Sequence, residues 1–460
     1  MNIELSPEIF RAYDIRGLYP NELNEQGSEL IGKALGTLLQ KKGLKKVIVG
    51  SDNRKSSAFL VNSLMTGLLS TGISVVNNGI TVEPACHYFT FLKNIDASVN
   101  ITASHNPNQF NGIKIDFKNG VPCFGDELAS LYDIVKKGDF KTGKGSYKEE
   151  SLNQKYIDFV SSKFKLKRKI KVVVYCGNGA TGELYPTILE NIGAEVVPLR
   201  CYLDIDFPVG VPDPESGDFY QELIEQVTES NADIGVGFDG DGDRVGETDE
   251  KGNHYKADEM LLLFAKDVLS RNPNGTVIFD VKCSQTVENY VKSLGGVPKM
   301  IKTGRSFFLD EMYNDRALLG GELSGHIYFK DDYLGYDDGI YAACRLLKIM
   351  DETGLSLSKL MSEFPKMAST PEIKVACSDK EKFNIVAKIV KEIKAGKSFG
   401  ELNETDGARV KVSQTGWFLI RASNTSPYIS VRVEGKDNQE VSNILEKTAK
   451  LLSKHNLVLS

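Results

Sequence analysis

The chain lacks three things, and each absence removes a class of function. It has no positive balance: 56 Lys and Arg stand against 62 Asp and Glu, a formal net charge of −6. No overall basic field exists to hold nucleic acid or an anionic membrane, so an anionic ligand needs a local cluster of cations. It has no paired cysteine motif: the seven cysteines at 86, 123, 176, 201, 283, 344 and 377 are odd in number and form no C-x-x-C. That argues against a disulfide framework or a zinc site and for a reducing, cytoplasmic compartment. It has no long apolar run: Leu261-Leu262-Leu263-Phe264-Ala265 is soon broken by charge, far short of the roughly 20 residues that cross a bilayer. The first ten residues carry Glu4 and Glu8 instead of a basic stretch followed by an apolar one, so no secretory leader is expected.

What is present is length: 460 residues, 41% hydrophobic and 26% charged, which suits a globular chain of roughly three or four domains. One pattern recurs three times: an apolar run, a Gly/Ser/Asn-rich turn, a helically spaced segment and a second apolar run. The copies begin at Val47-Ile48-Val49, Val172-Val173-Val174 and Val277-Ile278-Phe279. Each is followed by a further apolar stretch that runs into a polar loop, at Ser104, at Asp239 and at Glu322. In such sheets ligands gather at the carboxyl ends of strands, so three equivalent loops compete to be the active site. The last hundred residues break the rhythm, with helices expected over 379–393 and 438–452 and strands near 409–412, 417–421 and 428–433, an α+β pattern. Polar stretches at 141–153 and 364–372 read as linkers. The expectation is three similar mixed-sheet α/β domains, 1–149, 150–253 and 254–367, followed by a smaller α+β domain, 368–460.

Asp239-Gly240-Asp241-Gly242-Asp243-Arg244 sets three carboxylates at alternate positions, with glycines that let the backbone curl until all three face one cation. Such hard oxygen ligands favour magnesium or calcium; a solvated acidic turn is the plainer alternative. A calcium-binding EF-hand loop is a sharper competitor, with Glu250 at its twelfth position, but Arg244 stands where that loop demands glycine. Thr102-Ala103-Ser104-His105-Asn106-Pro107 presents a serine on a constrained loop with Lys114 ten residues on. A loop serine is more often structural than nucleophilic, yet the donors and cations around it suit a shared phosphate. Gly321-Glu322-Leu323-Ser324-Gly325-His326 offers a carboxylate and hydroxyl for sugar hydroxyls and an imidazole for contact or proton transfer, or is simply a glycine turn. Arg421-Ala422-Ser423-Asn424-Thr425 gathers a guanidinium, two hydroxyls and an amide, a set suited to a phosphate dianion or to a polar hairpin. Gly177-Asn178-Gly179-Ala180-Thr181-Gly182 fits G-x-G-x-x-G after a strand, but the following strand ends Val197-Pro198-Leu199-Arg200 with no carboxylate for a ribose. Tight strand–helix packing is therefore favoured over dinucleotide binding.

Together with Phe10-Arg11-Ala12-Tyr13-Asp14-Ile15-Arg16-Gly17, the segments at 102–107, 239–244, 321–326 and 421–427 resemble the α-D-phosphohexomutase superfamily, in order and spacing, across nearly the whole chain. The FRAYDIRG start and the DDGIYAA run at 337–343 liken it most to the bacterial phosphomannomutase/phosphoglucomutase branch. The resemblance implies four domains around a central cleft and a cytoplasmic enzyme, monomeric or weakly dimeric. Its partner would be a phosphosugar, with no nucleic acid and no membrane. It implies a phosphoryl group on Ser104 and magnesium on Asp239, Asp241, Asp243 and a phosphoserine oxygen, with Arg244 beside the phosphate. Transfer to a hexose phosphate would pass through hexose 1,6-bisphosphate, for a net exchange of 1-phosphate and 6-phosphate.

The acid/base positions fall on Lys114 and His326, with Arg16 assisting and Tyr13 beside the substrate. Glu322 and Ser324 match the sugar readers, and Arg421, Ser423, Asn424 and Thr425 the site for the non-reacting phosphate. Within Lys302-Thr303-Gly304-Arg305-Ser306 this chain has Arg305 where the branch usually has histidine; Arg305 and Lys282 are assigned to substrate binding, since a permanent cation cannot shuttle protons near neutral pH. A phosphoglucosamine mutase is the nearest alternative, which Leu323 leans against because that branch tends to carry glutamine there. A metal-dependent sugar phosphatase and a dinucleotide-dependent oxidoreductase are the readings from other classes.

Overall fold

The structure, a computed structural model, describes residues 5–314, 317–396, 399–424 and 426–459. It divides into two compact units, one formed by 1–257 with 324–360 and the other by 258–323 with 361–460.

The first unit opens with a mixed sheet whose centre is the strand Lys46–Ser51, flanked in parallel by Ser74–Ile80 and Ala97–Ile101. Val47, Ile48 and Val49 are all buried, which is why this strand reads as a continuous apolar run: both faces of a parallel sheet are covered. Phe110–Phe117 pairs antiparallel with Ala97–Ile101 and brings Ile15–Leu18 to the sheet's edge. The helices Glu25–Lys41 and Ser57–Ser70 pack backbone against backbone, since a Cβ on Gly32 would fall 2.2 Å from the Leu64 carbonyl oxygen. The expected linker at 141–153 instead contains the strand Tyr147–Glu149, paired in parallel with residues 75–77. At three residues, all exposed, it is too short to show a periodicity.

The second sheet runs His254–Tyr255, Val245–Asp249, Ile234–Phe238, Lys171–Tyr175, Glu195–Leu199. Ile234–Phe238 and Val245–Asp249 are antiparallel neighbours, so the acidic segment 239–244 is the connection of a hairpin. That excludes the EF-hand; Glu250 instead accepts hydrogen bonds from Ser358. The glycines of 177–182 are packing positions, with Gly177 against Pro212, Gly179 against the Gly240 carbonyl and Gly182 against the Cys201 carbonyl.

In the second unit Thr276–Asp280 lies between parallel partners Val297–Ile301 and Ala317–Gly321. The C-terminal sheet is antiparallel, in the order Ala368–Ser369, Tyr428–Gly435, Trp417–Ala422, Ala408–Lys411, Glu401–Asn403, with Ile373–Ala376 also on Tyr428–Gly435. The helices Lys382–Ala395 and Asn438–Ser453 pack on it. The expected linker at 364–372 thus supplies an edge strand, and the helix expected from 379 begins at Lys382, after a turn in which Ser378 Oγ bonds Glu381. The single tryptophan, Trp417, is buried, donates its indole N–H to Glu434 at 2.8 Å and lies 3.7 Å beneath the Arg409 guanidinium. Arg409 in turn donates to the carbonyls of Val281 and Cys283 at 2.6 and 2.7 Å, clamping the loop that carries Lys282. Among the described residues no helix is long and apolar enough to cross a membrane.

Candidate active site

In the first unit the serine loop follows the buried strand Ala97–Ile101, and Ser104 itself has a left-handed backbone, φ 52°. A non-glycine residue held there carries a cost that the surroundings must over-determine. Arg54 supplies that constraint. Its five N–H groups donate to Asp52 (3.0 Å) and to the carbonyls of Ser104 (2.8 Å), Asn106 (2.7 Å), Pro107 (2.9 Å) and Phe110 (3.2 Å). Ser104 Oγ donates to Asp239 Oδ2 at 2.6 Å and lies 3.1 Å from His105 Nδ1. Burial, with Arg244 and Arg16 nearby, holds His105 well below the usual imidazole range, so it is neutral.

Asp239, Asp241 and Asp243 are fully buried and bring one carboxylate oxygen each within 4.8 Å of the others. Gly242, at φ 80°, turns the loop so that its N–H and that of Arg244 reach Asp239 Oδ1, while Tyr185 donates to the Gly242 carbonyl. Lys114, on the strand Phe110–Phe117, points its ammonium between Asp241 and Asp243 at 2.9 and 2.7 Å. Burial, and then Asp243 and Asp241 beside it, push Asp239 well above the usual carboxylate range. Burial works against Asp243 too, but the Lys114 ammonium beside it overcomes it and holds Asp243 low. Asp241 Oδ1 and Asp243 Oδ1 are buried with no hydrogen-bond partner. Unsatisfied hard oxygens beside a raised carboxylate are what a divalent cation would neutralise, so the triad fits a metal.

Arg244 donates from Nε to His326 Nε2 at 3.0 Å, and its Nη1 lies 3.7 Å from both Asp213 and Glu215. Burial is outweighed by Glu215 and Asp239, which keep this guanidinium firmly charged. Because Nε2 of His326 accepts, its proton sits on Nδ1, 2.9 Å from Asp337 Oδ2. Arg16 reaches Asp14 at 2.6 Å and Asn106 at 3.0 Å, Tyr13 is half-buried, and Ser324 is buried.

The second unit assembles the remaining residues around the loop 302–305. The Gly304 N–H donates to Glu322 Oε2 at 2.9 Å, that of Thr303 to Asp406 at 3.2 Å, and the Asn424 amide to the Thr303 carbonyl at 3.2 Å. Arg421 pairs with Asp406 at 2.9 Å, and Lys282 lies 3.4 Å from Glu372. Burial opposes Glu372, but Lys282 and the Ser430 hydroxyl bring it down to about 2. Arg305 is buried at the start of the helix Arg305–Asn314, and Ser423 accepts the Ser426 N–H. Thr425 lies outside the described residues.

The sequence reading passed over Arg54, Asp337, Glu372 and Asp406. Arg54 had a signal, since it stands just past the carboxyl end of the central parallel strand, where ligands collect; Asp337 lies within the DDGIYAA run.

Comparison with known proteins bears on the whole chain. Four family models match in order: phosphoglucomutase/phosphomannomutase alpha/beta/alpha domain I at residues 7–142, domain II at 154–252, domain III at 256–367 and the C-terminal domain at 372–451. A Pseudomonas putida phosphomannomutase/phosphoglucomutase is 40% identical over 442 residues, 96% of this chain and 94% of that protein. A Neisseria gonorrhoeae phosphoglucomutase is 35% identical over 445 residues, 96% of this chain and 95% of that protein. The crystal structure of a Burkholderia thailandensis phosphoglucomutase/phosphomannomutase family protein superposes with a TM-score of 0.91 at 34% identity, covering 98% of each chain. With all four domains matched in order and relatives of 35–40% identity covering nearly the whole chain, the chain belongs to the phosphoglucomutase/phosphomannomutase family.

Proposed function

We infer that this chain is an isomerase that interconverts hexose 1-phosphate and hexose 6-phosphate, with mannose and glucose as the sugars, through a phosphorylated Ser104 and a hexose 1,6-bisphosphate intermediate. The observation that carries the reading is the short Ser104 Oγ–Asp239 contact inside a buried triad of carboxylates. A serine oxygen placed there is addressed by cation chemistry, which phosphoryl transfer requires. The four segments 1–149, 150–253, 254–367 and 368–460 serve in this reading as carriers of serine, metal, sugar and phosphate loops.

Asp239, Asp241 and Asp243 would hold magnesium with an oxygen on Ser104, and the ion would offset the charge of the transferring group. Arg54 fixes the loop so that Ser104 Oγ keeps one position. Arg244, kept charged by Glu215 and Asp239, stabilises the equatorial oxygens of the phosphoryl group. Lys114 and His326 exchange the proton of the attacking sugar hydroxyl, His326 where that hydroxyl takes the place of Arg244 Nε at its Nε2, with Arg16 assisting; Tyr13 and Ser324 contact the sugar. Arg421, Ser423, Asn424 and Thr425 hold the non-reacting phosphate with Lys282 and Arg305, and Glu322 reads sugar hydroxyls. After the first transfer the bisphosphate turns over and returns its other phosphoryl group to Ser104.

Phosphorus NMR of the protein with magnesium, trace hexose 1,6-bisphosphate and, in separate tubes, mannose 1-phosphate, glucose 1-phosphate and glucosamine 1-phosphate tests this. Conversion of the first two to 6-phosphates is expected. Release of inorganic phosphate alone would replace the mutase with a phosphatase, and preference for the amino sugar would make it a phosphoglucosamine mutase.

A further inference from the structure

Two cysteines that no part of the reaction uses meet behind the active-site loops. Cys176 closes the strand Lys171–Tyr175 and is fully buried; Cys201 follows the neighbouring strand Glu195–Leu199 and is partly exposed. Their sulfur atoms are 3.1 Å apart, and the Cys201 thiol also reaches the Val174 carbonyl at 3.2 Å, so it is turned inward onto the end of its partner's strand. A disulfide needs about 2.05 Å, so roughly 1 Å of closure separates the two thiols from a bond.

The turn between them touches the catalytic machinery. A Cβ on Gly179 would meet the Gly240 carbonyl at 3.1 Å, and one on Gly240 would meet the Ser104 carbonyl at 2.5 Å. The Asn178 carbonyl accepts from the Asn53 amide at 2.8 Å, one residue from the arginine that holds the serine loop. From 176 to 104 the contact is continuous and close-packed, the kind of path that transmits a shift of about 1 Å instead of absorbing it.

We propose that Cys176 and Cys201 form a reversible disulfide under a peroxide oxidant and that closing it lowers turnover at Ser104; the activity arm rests on the proposed mutase reaction. Cys201, the partly exposed residue of the two, attacks the peroxide: its sulfur takes one oxygen to become a sulfenic acid, and the other oxygen leaves as water once protonated. The Cys176 thiol then attacks the Cys201 sulfur, the S–S bond forms as the S–O bond breaks, and a second water leaves. The roles follow access: Cys201 is partly exposed, whereas Cys176 is fully buried and burial pushes its thiol well above the usual range. A dithiol reductant restores both thiols by exchange.

The sequence makes the test direct. Trypsin cuts after Lys171, Arg200 and Arg244, which places the two cysteines on separate peptides, 172–200 and 201–244. The purified full chain is treated with hydrogen peroxide, alkylated and digested without reductant. The linked pair, two hydrogens lighter than the two free peptides together, should accumulate while kcat falls on the order of tenfold or more. Both changes should reverse with dithiothreitol, and both should be missing in Cys201→Ser, which keeps the activity of the reduced protein. Cys176→Ser, run in parallel, should leave Cys201 to over-oxidise without a link. Cys201 oxidised or alkylated alone in the wild type overturns the disulfide, and a linked peptide at unchanged kcat overturns its coupling to Ser104. Reduced protein inactive on every hexose phosphate would instead defeat the mutase reading, with the peptide result still deciding the bond.

Discussion

Arg54→Lys is the substitution that tests how the serine loop is held. All five N–H groups of Arg54 are engaged, four of them on carbonyls of residues 104–110. Lysine keeps the charge but offers three donors from one point, so at least two of these five acceptors lose their partner. Hydrogen bonds to a charged group contribute about 1.5–3 kcal/mol each, which puts the gross loss at about 3–6 kcal/mol. With relaxation of the loop, the expected fall in unfolding free energy is about 3 kcal/mol. The catalytic effect should be larger than the stability effect suggests, because Ser104 sits at a left-handed backbone position and Arg54 holds its carbonyl directly. A displacement of about 1 Å in a reacting group can cost on the order of 100-fold in rate. Urea unfolding and steady-state kinetics on glucose 1-phosphate should show kcat down about 100-fold with KM changed by less than about threefold. A variant with kcat within about threefold of the parent, or with KM carrying the whole loss, would refute the argument.

Magnesium should raise the melting temperature of the chain, stabilising it by about 2.7 kcal/mol at a concentration 100 times its Kd, and Asp239→Asn combined with Asp241→Asn should remove the effect in a thermal scan. Glu247, buried on the strand Val245–Asp249, is raised from 4.5 to about 8 by burial alone. The unfolded chain releases this proton near pH 4.5 and the folded chain only near 8, so stability declines as pH rises through that window and levels off beyond it. Glu247→Gln should flatten up to about 5 kcal/mol of that decline in urea titrations at successive pH values; an unchanged slope would contradict it. Arg421→Ala should raise KM for hexose phosphates on the order of tenfold or more with a smaller change in kcat, in keeping with the loss of one charge-assisted phosphate contact; an unmoved KM would remove Arg421 from the phosphate site.

The rhythm of strand and helix was legible because runs such as Val47-Ile48-Val49 are buried on both faces and so cannot alternate with polar residues. The acidic hairpin was legible because its three carboxylates need only local chain geometry to converge. The edge strands Tyr147–Glu149 and Ala368–Ser369 were not, since strands of two or three residues, none of them buried, leave no pattern to read. Arg54 was missed for a different reason. Next to Asp52, Asn53 and Ser56 it reads as part of a polar turn, and its importance comes from carbonyls some fifty residues away in the chain. Lys114 was picked out from its distance to Ser104, but its seat between Asp241 and Asp243 spans more than 120 residues and no sequence spacing encodes it.

Trp417 gives this protein an optical property as well as a structural one. As the only indole in 460 residues, it accounts for essentially all emission excited at the red edge of the aromatic band. Its ring lies against the guanidinium that grips the Val281 and Cys283 carbonyls, on either side of Lys282. A cation stacked on the ring is sensitive to any shift of the loop it holds, so the emission of one native fluorophore reports on that loop without a label. Rearrangement around Lys282 can therefore be followed in real time by stopped-flow fluorescence on the unmodified chain.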